Sequence, residues 1–106
     1  KMIISENRFG AEILTQKGKV YKFDDIICLV DFAKAEKASL SNASYYFTDF
    51  EGKHDLLQSS ESFLLKSEAL KSPMNGNMGA FSSKQSLQKA IATFNGEEVD
   101  FNALLK

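Results

Sequence analysis

A pattern that occurs twice along the chain, at a constant offset, constrains its fold more than any other feature. The matching positions are Gly18 with Gly76, Phe23 with Phe81, residues 24–25 with residues 82–83, and Leu29 with Leu87. In both copies a glycine turn leads to an aromatic strand end, a polar helix cap and an amphipathic helix. We therefore predict an α+β protein of two related ββαβ units, with halves at approximately 9–52 and 61–106 in one domain of residues 1–106.

The first unit is predicted to open with a β-hairpin. Residues 11–15 are a short apolar strand candidate, residues 16–19 form a turn, and residues 20–23 alternate between apolar and polar side chains as a strand does. Asp24 and Asp25 are good N-cap candidates for a helix over residues 26–36, because a carboxylate accepts from backbone N–H groups and suits the positive end of the helix. A strand over residues 26–30 is also possible, but the aspartate pair and the Ala, Lys and Glu residues that follow favour a helix. The wide apolar face of this helix predicts that it is well buried.

The middle of the chain contains two further strand candidates. Residues 45–50 are rich in aromatic side chains, which favours a strand, and residues 62–66 form a second apolar stretch. Between them we predict a connection with a short helical turn around residues 55–57. Residues 72–79 are predicted to form a loop, because proline, glycine and asparagine punctuate them.

The second helix is predicted from its cap and from its apolar spacing. Ser82 and Gln85 have the spacing of a capping box. Asn95 and Gly96 are typical of a helix end, and residues 98–101 form a last possible strand. Four apolar residues at helical spacing make the expected buried face: Leu87, Ala90, Ile91 and Phe94.

The composition is that of a globular domain. Of the 106 residues, 43% are hydrophobic and 25% are charged, which is usual for folded proteins. The formal net charge of -1 leaves no basic surface for phosphates, so we expect no binding to nucleic acid. No apolar run approaches the about 20 residues that span a bilayer. Because the chain opens with Lys1, we expect that processing or design has removed a preceding segment.

The residues that could support catalysis are few, and we predict that the chain is not an enzyme. There is one histidine, His54, and one cysteine, Cys28, and neither has an evident partner in the sequence. The adjacent acids Asp24 and Asp25 are better explained as helix caps than as an acid–base pair. Cys28 lies on the predicted buried helix among acidic neighbours, which favours a packing role over a reactive thiolate.

The methionines are the residues most suited to binding a metal. Met74 and Met78 both fall in the predicted loop, where apolar side chains are not expected, and a thioether is a soft ligand that suits Cu(I). Their spacing in an irregular loop allows the two sulfurs to converge but does not force it. From these residues alone, a core-filling role and a metal-binding role both stay open.

Four segments of the chain are similar to segments of one protein family. Residues 8–13 are similar to the opening of the family's first strand, and residues 18–29 resemble its glycine turn, aromatic strand and F-D-D-x-x-C segment. Residues 46–49 are similar to its Y-V-x-D strand. Residues 72–81 resemble its S-P-M-x-x-x-x-x-A-F signature, which is the most specific of the four. The segments follow one another in the right order along nearly the whole chain, and the family that they resemble is NosL, the copper-binding accessory lipoproteins of nitrous oxide reductase.

The resemblance implies a copper site and a location. Family members commonly carry a C-x-x-C-[GK]-M motif near the mature N-terminus, and Lys1-Met2 is similar to the end of that motif. The implied Cu(I) ligands are therefore Met2 and Met74, with a cysteine before Lys1 and with Met78 held in reserve. The resemblance also implies an extracytoplasmic protein on the periplasmic side, attached to the membrane only through a lipid anchor upstream of Lys1.

The implied function is that of a metallochaperone, which captures Cu(I) and delivers it to an acceptor protein such as nitrous oxide reductase or another copper-site assembly factor. The alternative is a metal-free protein-interaction module of the same fold, which presents the aromatic strand of residues 45–50 to a partner. A lyase-like enzyme would need a cluster of catalytic thiols, whereas Cys28 is the single cysteine.

Overall fold

The computed structural model describes residues 7–52 and 55–106. Along these residues there are seven strands and three α-helices. The strands are β1 (Ala11–Leu14), β2 (Val20–Phe23), β3 (Ser44–Thr48), β4 (Leu56–Gln58), β5 (Phe63–Lys66), β6 (Met78–Phe81) and β7 (Glu97–Val99). The helices are α1 (Ile26–Ala35), α2 (Lys84–Phe94) and α3 (Phe101–Leu104). Four short 3-10 helices lie at Asn7–Phe9, Lys37–Leu40, Ser59–Glu61 and Glu68–Leu70.

The strands form two antiparallel sheets, one from each half of the chain. The first sheet has the order β2-β1-β3-β4 and the second has the order β6-β5-β7. Each half runs strand, strand, helix, strand, and its first strand pairs with both its second and its third. The predicted fold class, two ββαβ units in a small α+β protein, is therefore confirmed.

Both long helices begin at a capping side chain directly after a strand. Asp25 caps α1 by accepting from the backbone N–H of Ile27 at 3.0 Å. Ser83 caps α2 by accepting from the N–H of Ser86 at 3.1 Å. The predicted capping box placed the cap of this helix at Ser82. That position is wrong by one residue, because Ser83 is the last residue in the extended conformation before the helix begins.

The two halves share their cores and are joined through the segment after β3. The N–H of Phe50 donates to the carbonyl of Ala80 at 2.8 Å, and Asp49 forms a parallel bridge with Ala80. The ring of Phe50 packs against Phe81 with centroids 5.4 Å apart and against Phe94 at 5.8 Å. Buried residues of both halves occur in each of the two hydrophobic clusters, so neither half buries its apolar surface alone.

Three predicted segments differ from the structure. Residues 56–58 form strand β4 and not a helical turn, because pairing with β3 fixes them in an extended conformation. Met78 and Gly79 belong to strand β6 and not to a loop, since they pair with Lys66 and Leu65 of β5. The last predicted strand ends at Val99, and Asp100 then caps the short helix α3.

Candidate functional site

Met74 lies on the connection between β5 and β6, as predicted, and its side chain is 60% exposed. We call residues 71–77 the Met74 loop. This loop follows the 3-10 helix Glu68–Leu70 and returns the chain to β6. Because this side chain is not packed in the core, its thioether is accessible to a ligand or to a partner protein.

The carboxylate of Asp25 attaches the Met74 loop to the start of helix α1. Its Oδ2 atom accepts from the hydroxyl of Ser72 at 2.5 Å, from the N–H of Met74 at 2.8 Å and from the N–H of Gly76 at 3.4 Å. Its Oδ1 atom caps α1 through Ile27. Asp25 is 0% exposed, so the start of a helix and the Met74 loop share one buried carboxylate.

The loop is also closed by its own hydrogen bonds. The N–H of Ser72 donates to Oδ1 of Asn77 at 3.0 Å, and the N–H of Asn77 donates to the hydroxyl of Ser72 at 2.7 Å. Lys71, Asn75 and Asn77 adopt the left-handed conformation, which asparagine tolerates better than most residues do. These bonds fix the backbone on both sides of Met74.

Gly76 allows the loop to approach helix α1 closely. A Cβ atom at this position would lie 2.4 Å from Oδ1 of Asp25 and 2.6 Å from Cβ of Ile27. Both distances are shorter than real Cβ contacts. The backbone of Gly76 therefore lies directly against the helix start, where its N–H can reach the carboxylate.

Met78 does not share the setting of Met74. It is the first residue of β6, its side chain is 1% exposed, and it belongs to the hydrophobic cluster that contains Ile26 and Leu64. The structure therefore separates the two methionines: one thioether faces solvent on a loop, and the other is packed inside the protein. The prediction that Met78 lies in a polar loop is wrong.

The structure gives less information about the other candidate ligands. Met2, the second ligand implied by the sequence, lies outside the described residues, and so does His54. Within residues 7–52 and 55–106, no group of three or more histidine, cysteine, aspartate or glutamate side chains can hold a metal ion. Among the described methionines, Met74 is exposed and Met78 is buried.

Cys28 is a partly buried free thiol on helix α1. Burial raises the pKa of this thiol above its ordinary value, and the nearby carboxylates of Asp25, Asp31 and Asp24 raise it further. Both effects disfavour the thiolate, which is the form that binds metals and attacks electrophiles. The predicted packing role fits this environment better than a ligand role does.

The sequence did not predict that Asp25 binds the loop. Its position before an apolar helix indicated a cap, and that role alone explains the residue type. The partners Ser72 and Met74 lie 47 and 49 positions away along the chain. No local pattern indicates a contact over such a separation, so the shared carboxylate is visible only in the fold.

We compared the chain with known families, curated proteins and solved structures. No family model and no curated protein sequence matches it. Among solved structures, the crystal structure of the copper chaperone NosL from Shewanella denitrificans matches with a TM-score of 0.74 at 17% sequence identity. The match covers 88% of this chain and 75% of that one. The chain has a NosL-like fold.

The likeness to NosL covers nearly nine tenths of this chain. It confirms at the level of the fold the resemblance that the sequence segments indicated. The protein of that structure is described as a copper chaperone. No helix among the residues described here is long and apolar enough to cross a membrane.

Proposed function

We propose that the chain is a copper-handling protein that binds Cu(I) through the thioether of Met74 and passes it to an acceptor protein. The observation that carries the proposal is the exposure of Met74 on a loop whose backbone is fixed. Thioether sulfur is a soft, neutral ligand that prefers Cu(I) and releases no proton on binding. The NosL-like fold supports the same chemistry, because the protein that shares it is described as a copper chaperone.

The remaining ligands are proposed from the sequence resemblance. Met2 is the second thioether, and a cysteine before Lys1 supplies a thiolate. Met78 is best assigned to packing, because its side chain is buried. A site with few protein ligands on the surface suits a carrier, since the acceptor can add its own ligands to the metal while the carrier's ligands leave.

The setting is proposed on the same basis. We expect an extracytoplasmic protein, attached to the membrane through a lipid anchor before Lys1, with nitrous oxide reductase or another copper-site assembly factor as the acceptor. Copper handling in general has the support of the fold. The identity of the acceptor has the support of the segment resemblance alone.

The alternative, a metal-free interaction module, was based on the aromatic strand at residues 45–50. That strand is β3, and it pairs with β1 on one side and β4 on the other. Tyr45 packs on Phe101 with ring centroids 5.3 Å apart, and Phe47 is buried. Both edges of β3 are thus paired, and the alternative is left with the half-buried side chains of Tyr45 and Tyr46. It stays as an outcome of the copper experiment.

The proposal is tested by a competition titration with a chromophoric Cu(I) chelator under anaerobic, reducing conditions. The chain is titrated beside a longer version that carries the implied cysteine motif before Lys1. Met74→Leu removes the thioether and keeps an apolar side chain of similar size. We expect the longer version to take one Cu(I) from the chelator and its Met74→Leu variant to lose this ability.

Met78→Leu is the matched control, since it makes the same substitution at a buried position. We expect it to compete for Cu(I) as well as the unmodified protein does. If neither form of the chain competes with the chelator, the copper proposal fails and the interaction module becomes the better hypothesis. If Met78→Leu abolishes competition while Met74→Leu does not, the assignment of the ligand is wrong.

A further inference from the structure

Asp25 contacts the loop that carries the proposed copper ligand, although it lies in the other half of the chain. We infer that Asp25 is the positioning residue for Met74, holding its thioether in the orientation that binds Cu(I). The inference rests on the proposed function. Asp25 itself is no ligand in it, because both oxygens of its carboxylate accept from protein donors, in four hydrogen bonds to residues that the structure describes.

The comparison of the two helix caps shows that Asp25 does more than begin a helix. Ser83 occupies the corresponding position before α2, and its hydroxyl makes the equivalent bond to a backbone N–H. A neutral hydroxyl is thus sufficient to cap a helix in this fold. The carboxylate of Asp25 has a second oxygen, and that oxygen is used entirely for the Met74 loop.

The burial of Asp25 makes its contacts with the loop interdependent. The residue is 0% exposed, and the ion pair found within the described part of the chain, Lys84 with Glu98, does not involve it. A buried carboxylate without a cation is stable only when hydrogen-bond donors surround it. Moving the loop away would remove three of its four donors, so the carboxylate keeps the loop in place.

The bond to the N–H of Met74 acts directly on the proposed ligand. It fixes the backbone from which the side chain of Met74 projects, and the bond to Gly76 fixes the chain two residues later. A ligand whose backbone is already ordered loses less entropy when the metal binds. Residues that orient metal ligands in this way typically change affinity by about 10- to 100-fold when they are replaced.

The test uses Asp25→Asn in the form of the chain that binds Cu(I). Asparagine keeps the size of the side chain and one oxygen for the cap, but its NH₂ group cannot accept from Ser72, Met74 and Gly76. We expect the affinity for Cu(I) to fall by about 10- to 100-fold. Because Met74→Leu alone is expected to abolish competition, Asp25→Asn in that background should leave Cu(I) uptake at the same residual level.

Ser83→Ala is the matched control, since it also removes a helix cap but lies away from the Met74 loop. We expect it to bind Cu(I) normally. Ser72→Ala is a second variant in case Asp25→Asn does not fold; it removes one donor to the carboxylate and should weaken binding to a smaller extent. Circular dichroism establishes that each variant is folded.

A second readout needs no metal. In the metal-free protein, hydrogen exchange measured by NMR should show protected amides at Met74 and Gly76, and Asp25→Asn should remove that protection. The inference is overturned if the unmodified protein binds Cu(I) and Asp25→Asn or Ser72→Ala binds it equally well. If the unmodified protein does not bind Cu(I), the proposed function fails first, and the amide protection then reports only a structural contact.

Discussion

Gly76 has no side chain, and this allows the Met74 loop to lie against the start of helix α1. Its position against Asp25 and Ile27 leaves no space for a Cβ atom. The backbone of Gly76 does not adopt the left-handed conformation, so crowding and not backbone freedom explains the glycine. Substitution here is therefore expected to displace the loop and not merely to strain it.

We predict that Gly76→Ala lowers the free energy of unfolding by about 1–3 kcal/mol, the usual cost of overpacking. It should also weaken Cu(I) binding, because the loop must move away from Asp25. Gly18→Ala is the control: its φ of 94° makes alanine unfavourable, by about 1–2 kcal/mol, but no atom lies within 4 Å of the added Cβ. Chemical denaturation and chelator competition on both variants separate the two effects.

Equal copper affinities for the two alanine variants would contradict the role given to the loop.

At the scale of single residues, the sequence identified Met74 as a candidate ligand but did not distinguish it from Met78. The difference arises from strand pairing: Met78 lies opposite Lys66 in β5 and is covered by the core, whereas Met74 has no strand partner. Composition alone predicted a loop over the whole of residues 72–79.

Helix starts show how far a sequence pattern can specify an element. The prediction that an aspartate would cap the first helix is confirmed at Asp25. For the second helix the capping-box spacing indicated Ser82, but the cap is Ser83. Ser82 satisfies the capping-box rule through Gln85, whereas Ser83 is followed three residues later by Ser86 and is nevertheless the cap. The choice between the two serines therefore depends on where the helix begins after β6.

We predict that Ser83→Ala lowers the free energy of unfolding by about 1 kcal/mol, because the N–H of Ser86 loses its acceptor. Ser82→Ala removes a hydroxyl of the same kind from an exposed position and should change stability by less than about 0.5 kcal/mol. Urea denaturation of the two variants measures both values. A larger loss of stability for Ser82→Ala than for Ser83→Ala would mean that Ser82 forms the predicted capping box in solution.

Strand β4 could not be predicted from the local sequence pattern, because it depends on pairing with a distant strand. Residues 56–58 are too few to show alternation, and their extended conformation comes from pairing with β3 at Tyr46, Phe47 and Thr48. By contrast, β2 and β5 were found because alternation, or an apolar run between turns, is visible within them. Long-range pairing therefore decides the short elements, and local chemistry decides the longer ones.

At the scale of the whole molecule, the open question is whether the two ββαβ halves form one folding unit. The internal repeat, with halves near 9–52 and 61–106, stays a prediction. The packing nevertheless has a consequence for folding. Both hydrophobic clusters combine residues from the two halves, and we therefore propose that the chain unfolds as a single cooperative domain.

Leu64→Ala tests this proposal. Leu64 lies in β5 of the second half and is buried in the cluster that contains Ile13 and Leu29 of the first, so its truncation should cost about 2–5 kcal/mol. All three tyrosines precede residue 52, and tyrosine fluorescence therefore reports the first half, whereas circular dichroism reports the helices of both. If the chain is one unit, the two signals shift together to lower denaturant.

The exposed Leu56 supplies the control, because Leu56→Ala makes the same substitution at a position that is 48% exposed and should change stability by less than about 0.5 kcal/mol. A fluorescence transition that stays in place while the dichroism transition of Leu64→Ala moves would mean that the halves unfold independently. That result would also weaken the role of Asp25, since its carboxylate joins α1 of one half to the Met74 loop of the other. Coincident transitions would instead mean that loss of packing in one half also releases the loop that carries Met74.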